Sequence, residues 1–228
     1  MTQPEMHTYF KINYDKLDSS NLPNLNPTEI DSLLNQGQDR IIKQRYGINN
    51  NKRQSFEETQ KRAEDLKEVV RNSTIAPSAY TTTNIDTNAQ FVTLPTDHWF
   101  TIQERVEVMY PDCKNNTVKD TVAVTPIQHN EFNKAILNPF KKPSEKKILR
   151  LMYENQVELI HATNHVLGNY FIRYIKKPVA ISSVTATTSE LSDHLHSEIC
   201  DEAIRIALEN IEAKRTETYA PITQTTNE

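Results

Sequence analysis

Glycine is nearly missing from this sequence of 228 residues. Only Gly37, Gly47 and Gly168 occur, where an average protein carries roughly 7% glycine. Phosphate cradles rely on glycine so that backbone amides can approach the ligand. Neither G-x-G-x-x-G nor G-x-x-x-x-G-K-[ST] is present, which argues against a nucleotide-binding enzyme. Cysteine is scarce too. Cys113 and Cys200 cannot build a disulfide framework, so a reducing compartment is the simplest expectation. The acceptor sequons at Asn72 and Asn115 are then chance matches. No apolar run reaches the roughly 18 residues needed to cross a bilayer, so no membrane partner is expected. The segment MTQPEMHTYFKINYDKL lacks the apolar core of a signal peptide. There is no cationic excess either. The formal charge is −4, which gives no bulk attraction for nucleic acid or an acidic membrane. Hydrophobic residues make up 36%. That is low for a compact globule and suits a surface that is solvated, extended or completed by neighbours.

What is present is helix patterning. Phe10, Tyr14 and Leu17 fall at i, i+4 and i+7 and predict a helix over about Met6 to Leu17. A second helix starts at Pro27 or Thr28, with Asp31 in the position of a capping-box partner. Ile30, Leu33, Leu34, Ile41, Ile42 and Tyr46 form its stripe, and Gly47 ends it. Ser55-x-x-Glu58 opens a third helix with a capping box, and Phe56, Ala63, Leu66 and Val70 line its inner face. Leu191, Leu195, Ile199, Ala203, Ile206, Ala207 and Ile211 carry a last helix from about Ser189 to Arg215. The simplest packing sets Ile199, Ala203 and Ile206 against Leu34, Ile41 and Leu66.

Between these helices lie strand signals. The tract from Ser73 to Gln90 shows no periodicity and reads as a linker or arm. Phe100 to Tyr110 alternates, and Thr121 to Thr125 gives a second strand. A short helix follows to about Leu137, stopped by Asn138-Pro139. Ile148 to Tyr153, Val157 to Thr163 and Tyr170 to Lys176 are separated by short gaps. Parallel strands need longer crossovers, so these predict an antiparallel meander. The expected fold class is α+β: a helical bundle built from the N-terminal helices and a long C-terminal helix, with an inserted antiparallel β module. Residues 1–73 plus 186–215 form the bundle in this reading, 74–185 the β module with its short helix, and 216–228 a flexible tail.

No constellation carries catalysis. His196 and Cys200 lie four apart on one helix, with His194 near, but a further ligand is missing. His196-Ser197-Glu198 matches the H-x-E of zinc deaminases without the P-C-x-x-C that the signature demands. No G-x-S-x-G elbow exists. The expectation is therefore no catalytic residue, no cofactor and no metal site. Lys141, Lys142, Lys146 and Lys147 flank Pro143, and Lys176 and Lys177 precede Pro178. Such loops can meet phosphate or an acidic neighbour, or simply be solvated. No aromatic interleaving marks them as a stacking platform. Tyr219, Pro221 and Ile222 form a small apolar cluster in the tail TETYAPITQTTNE, a kind of segment that orders on a partner. The four lysines and these three tail residues are the interface candidates.

Several segments, taken in order, resemble the head-to-tail connector and neck ring proteins of tailed phages, in particular those of crAss-like podophages. They are LNQGQDRIIKQRYG, SFEETQKRAEDLKEVV, NPFKKPSEKKILRL, NYFIRYIKKPVAI and SELSDHLHSEICDEAIRIALENIE, which together cover most of Leu34 to Glu212. None is a catalytic signature; the specificity lies in their co-occurrence and order. The resemblance implies a structural virion protein of the neck or tail, assembled in the host cytoplasm. It implies a homo-oligomeric ring of twelve subunits below the portal, with the portal protein and an adjacent tail ring protein as partners. Double-stranded DNA would pass through its channel without sequence-specific binding. The net negative charge suits such a channel, since tight phosphate binding would brake genome ejection. Two alternatives stay open: a tail-barrel ring protein further from the portal, and a non-virion helical DNA-binding or regulatory protein.

Overall fold

The computed structural model describes residues 1–18, 24–47, 57, 59–78, 86–111, 117–163 and 165–210. Two compact units emerge. One holds the described residues of Met1–Val69 and Pro178–Glu228; the other is Val70–Lys177.

The first unit is helical. It contains α1 (Gln3–Asp18), α2 (Pro27–Tyr46), α3 (Gln60–Leu66) and, late in the chain, α5 (His196–Asn210). Pro27 stands at the start of α2, where its missing N–H costs nothing. The Asn26 N–H donates to Glu29 Oε2 at 2.7 Å. Glu29 is thus the acidic partner at this helix start, and Asp31 has another use. Asp31 Oδ2 accepts from the Ser183 N–H at 2.7 Å and from the Ser183 hydroxyl at 2.6 Å. Gly47 closes the helix by donating its N–H to the Lys43 carbonyl at 2.9 Å. Ile30, Leu33, Leu34, Ile41 and Ile42 are buried, as are Ile199, Ala203, Ile206 and Ala207 of α5. Each fully buried side chain of this size contributes about 1.5–3 kcal/mol before entropy is counted. α2 and α5 approach closely at Gly37. A Cβ there would lie 2.8 Å from the Ile199 carbonyl oxygen and 3.1 Å from the Ala203 nitrogen. Glycine is needed at Gly37 for backbone proximity. α1 adds Met6, Phe10 and Tyr14 to this core, with the Phe10 and Tyr14 rings stacked 5.6 Å apart.

Two helix boundaries differ from the sequence reading. The Ser55-x-x-Glu58 box lies outside the described residues, and α3 is short. It passes through a 3-10 turn at Lys67–Val69 into a strand that begins at Val70. The β-branched pair Val69-Val70 disfavours helix continuation, and Val70 instead pairs with Ile175. The last α-helix opens at His196, after a 3-10 turn at Asp193–Leu195. Leu191 and Leu195 are buried ahead of it.

The second unit corrects the expected fold class. A seven-stranded sheet dominates the architecture, in place of a helical bundle carrying an inserted antiparallel module. Its strands are β1 (Val70–Ile75), β2 (Ala89–Thr93), β3 (His98–Pro111), β4 (Thr117–Pro126), β5 (Ile148–Tyr153), β6 (Gln156–Ile160) and β7 (Val166–Lys176). Their order is β1-β7-β3-β4-β5-β6-β2. β1 and β2 occupy ground that reads as a helix end and a patternless linker. The sheet is also mixed, because β4 and β5 pair in parallel. That is possible because α4 (Phe132–Leu137) and its flanking turns supply the crossover. The expected three-strand meander is broken as well. β5 and β6 form a hairpin, but β7 lies between β1 and β3. Loop length alone did not reveal that the long β3 captures β7 as its partner.

Alternation along the strands gives the sheet two apolar faces. Val106, Val108, Val122, Ile148, Val157, Leu159, Tyr170 and Ile172 belong to one cluster. Leu149, Leu151 and Ile160 belong to another, completed by Phe132 and Ala135 of α4.

Candidate assembly surfaces

α4 and the loop after it bring the lysines together. The Asn138 carbonyl accepts from the N–H groups of Lys141 and Lys142 at 3.0 and 2.9 Å. Asn138 Oδ1 accepts from the Phe140 N–H at 2.9 Å. Ser144 and Lys147 exchange two backbone hydrogen bonds at 2.9 and 3.1 Å. Lys147 Nζ donates to the Phe140 carbonyl at 3.3 Å. The loop is therefore pinned along its length. Lys141, Lys142 and Lys146 are exposed, while Lys147 is half-buried. A cavity of about 320 Å³ lies beneath, lined by Lys134, Lys141, Lys147, Glu131 and Leu149 among others.

Sequence reasoning missed the apolar part of this surface. Leu137 is 84% exposed and Phe140 89% exposed. Phe140 immediately precedes Lys141, so an aromatic does stand beside the lysines. The signal was in NPFKKP: an aromatic with no periodic apolar partner, wedged between Asn-Pro and Lys-Lys. Lys177 directly follows β7 and is exposed, its N–H donating to the Asp97 carbonyl at 2.7 Å. Tyr219, Pro221 and Ile222 lie outside the described residues.

The residues that invite a metal reading are engaged individually. His194 Nε2 faces Asp65 Oδ1 at 2.7 Å. His196 Nε2 donates to the Leu191 carbonyl at 3.0 Å, and its Nδ1 is 2.9 Å from the Met1 amine. Cys200 Sγ points to the Met6 carbonyl at 3.7 Å, and burial pushes its thiol up to about 12. A thiol so placed stays protonated and unreactive near neutral pH.

The helical unit offers a different surface. Met1, Pro4, Glu5, Thr8, Tyr9 and Ile12 line a shallow groove of about 390 Å³ along α1. Ile12 is 50% exposed there. The Tyr9 hydroxyl donates to Asp201 Oδ1 at 3.2 Å. Burial first, and then the Asp201 carboxylate, raise the Tyr9 phenol above its ordinary range. Formal charge divides between the two units. Residues 70–177 hold 13 Lys and Arg against 10 Asp and Glu, a balance of +3. The rest of the chain holds 13 against 20, a balance of −7.

Pinned loops, exposed apolar side chains and separated charge are features of a subunit made to associate. This chain belongs to the phage tail ring protein 3/4 family, whose model matches residues 1–219. It is similar to Ring protein 4/5 of Bacteroides phage crAss001, 26% identical over 91% of this chain and 92% of the relative. It is also similar to Ring protein 3 of the same phage, 26% identical over 81% of this chain and 85% of the relative. A structural ring protein of a phage tail is the class these matches define.

Proposed function

We propose that this chain forms a closed homo-oligomeric ring in the virion neck or tail. The ring contains twelve copies, joins the portal to the tail, and surrounds a channel for double-stranded DNA. The observation that carries this reading, beside the family, is the charge division between the two units. A closed ring needs two unlike patches on each subunit, and oppositely charged units supply them. Lys141, Lys142, Lys146 and Lys147 belong to the cationic patch. Tyr219, Pro221 and Ile222 are further contact residues, for the portal or the adjacent ring. The protein acts by shape and attachment, with no catalytic step.

A place further from the portal, within the tail barrel, is favoured by the word tail in the family's description. Electron microscopy of the purified chain, alone and mixed with its portal, tests both readings. Closed rings that cap the portal support the connector. Closed rings that ignore the portal but stack on tail proteins support the barrel position. Monomers under every condition would overturn the ring reading.

A further inference from the structure

We infer that the Leu137–Phe140 corner of one copy docks into the α1 groove of a second copy. This deepens the ring reading and rests on it. Phe140 and Leu137 are the most exposed large apolar side chains of the described residues, at 89% and 84%. The backbone that carries them is already fixed by the Asn138 and Ser144–Lys147 hydrogen bonds. Docking such a corner costs little ordering entropy. An aromatic inserted from a rigid loop is also the kind of contact that dominates interface energetics.

The groove answers the corner in shape and in charge. Pro4, Thr8, Tyr9 and Ile12 give it an apolar floor, and Glu5 stands on its rim. Asp201 sits at its Tyr9 side. Asp15, one turn beyond Ile12, is exposed. Lys11 and Lys16 also stand on α1 and the Met1 amine lines the groove, paired with Asp193 at 3.1 Å; the acidic excess is that of the helical unit as a whole, −7 against +3 for the unit that carries the corner. Lys141, Lys142 and Lys146 frame the corner and would face those acids. Two lysine-framed corners repel each other, as do two helical units of net negative charge. Self-matched pairing is thereby disfavoured, and the corner-to-groove contact favours head-to-tail association, the type that closes into a ring.

The test uses the full chain with a photo-reactive benzoylphenylalanine in place of Phe140, assembled from a mixture of light and ¹⁵N-labelled copies. Irradiated rings should yield mixed-isotope crosslinks to the peptide that contains Pro4–Ile12. Phe140→Ser, at an exposed position, should leave the melting temperature unchanged and raise the concentration for half-assembly by about tenfold or more. Lys141→Glu with Lys142→Glu should prevent ring formation, and adding Glu5→Lys should partly restore it. Rings that crosslink elsewhere, to DNA or to another tail protein, overturn the docking and leave the ring reading intact. So do rings that tolerate Phe140→Ser. A wild-type chain that forms no ring overturns both.

Discussion

The two units solve the problem of burial differently. In the helical unit, charged side chains are closed in between helices that are distant in sequence. Arg45 of α2 sits with its Nε 2.9 Å from Asp65 Oδ2 of α3, and its Nη2 is 2.6 Å from Glu198 Oε2 of α5. Asp65 is fully buried. A second cluster joins Arg40 of α2 to Glu202 of α5 at 2.9 Å. In the sheet unit, branched aliphatic residues fill both faces and backbone pairing sets the register. Its main buried ionic feature is one trio. The Tyr170 hydroxyl and Arg150 Nη1 both donate to Glu104 Oε1, the latter at 2.7 Å. Burial first, and then Glu104, push the Tyr170 phenol far above its ordinary value. Ion pairs depend on exact partner identity, whereas an aliphatic sheet core tolerates exchange of similar volumes. The helical unit should therefore be the more brittle of the two.

The sharpest way to break that contrast is Arg45→Ala. It leaves the buried Asp65 carboxylate with His194 as its remaining polar partner and should cost up to about 3–5 kcal/mol. Hydrogen exchange should show the loss in α2, α3 and α5 while β3 and β7 keep their protection. Equal loss in both units would mean that they unfold as one. A smaller effect is expected from Gly37→Ala. The added Cβ meets backbone atoms of α5, which cannot swing aside as a side-chain tip could. The helices must separate, at about 1–3 kcal/mol, read as a lowered denaturation midpoint at unchanged slope. A substitution with no effect there would show that the crossing is slack.

The smallest effect is confined to acid. Burial works to raise the Asp31 carboxyl. The Ser183 hydroxyl and N–H bonds, with His7 2.7 Å away, outweigh it and hold the group below the usual carboxylate range. Its contribution is thus present above the unfolded value near ~3.9 and is lost as pH falls through the lower folded value. Wild type should lose stability below about pH 4 through this group. Asp31→Asn should lack that part of the acid limb, and overlapping melting curves from pH 5 to pH 2 would assign the dependence elsewhere.

How much of this could be read in advance depended on whether the cause was local. The ends of α2 were legible because Pro27 and Gly47 act within one turn, although the acidic partner at its start is Glu29 and not Asp31. The strand alternation in β3 was legible because one face is buried over many residues. β1 was not, because VRNSTI is half exposed and its pairing partner, β7, lies about a hundred residues away. The parallel join of β4 to β5 was hidden for the same reason: nothing within either strand records it. At the candidate surface the lysines were visible as charge. Phe140 was not, since an apolar letter in a sequence reads as core until its surroundings are known. The α1 groove has the same character, with Ile12 exposed on a helix whose Met6 and Phe10 are buried.

The distance along the chain between α2 and α5 has a consequence for synthesis. α2 ends at Tyr46 and α5 begins at His196. At roughly 5–20 residues per second, ribosomes need on the order of ten seconds to make what separates them. Throughout that interval the Leu34–Ile42 stripe has no α5 to cover it, while the whole sheet unit leaves the ribosome first. The helical unit is finished last, from the two ends of the chain. Its excess of acidic residues lies in the part made last: residues 178–228 hold 9 Asp and Glu against 3 Lys and Arg, while residues 1–69 hold 11 against 10. The charge that makes finished copies repel one another therefore arrives together with the helix that covers the stripe.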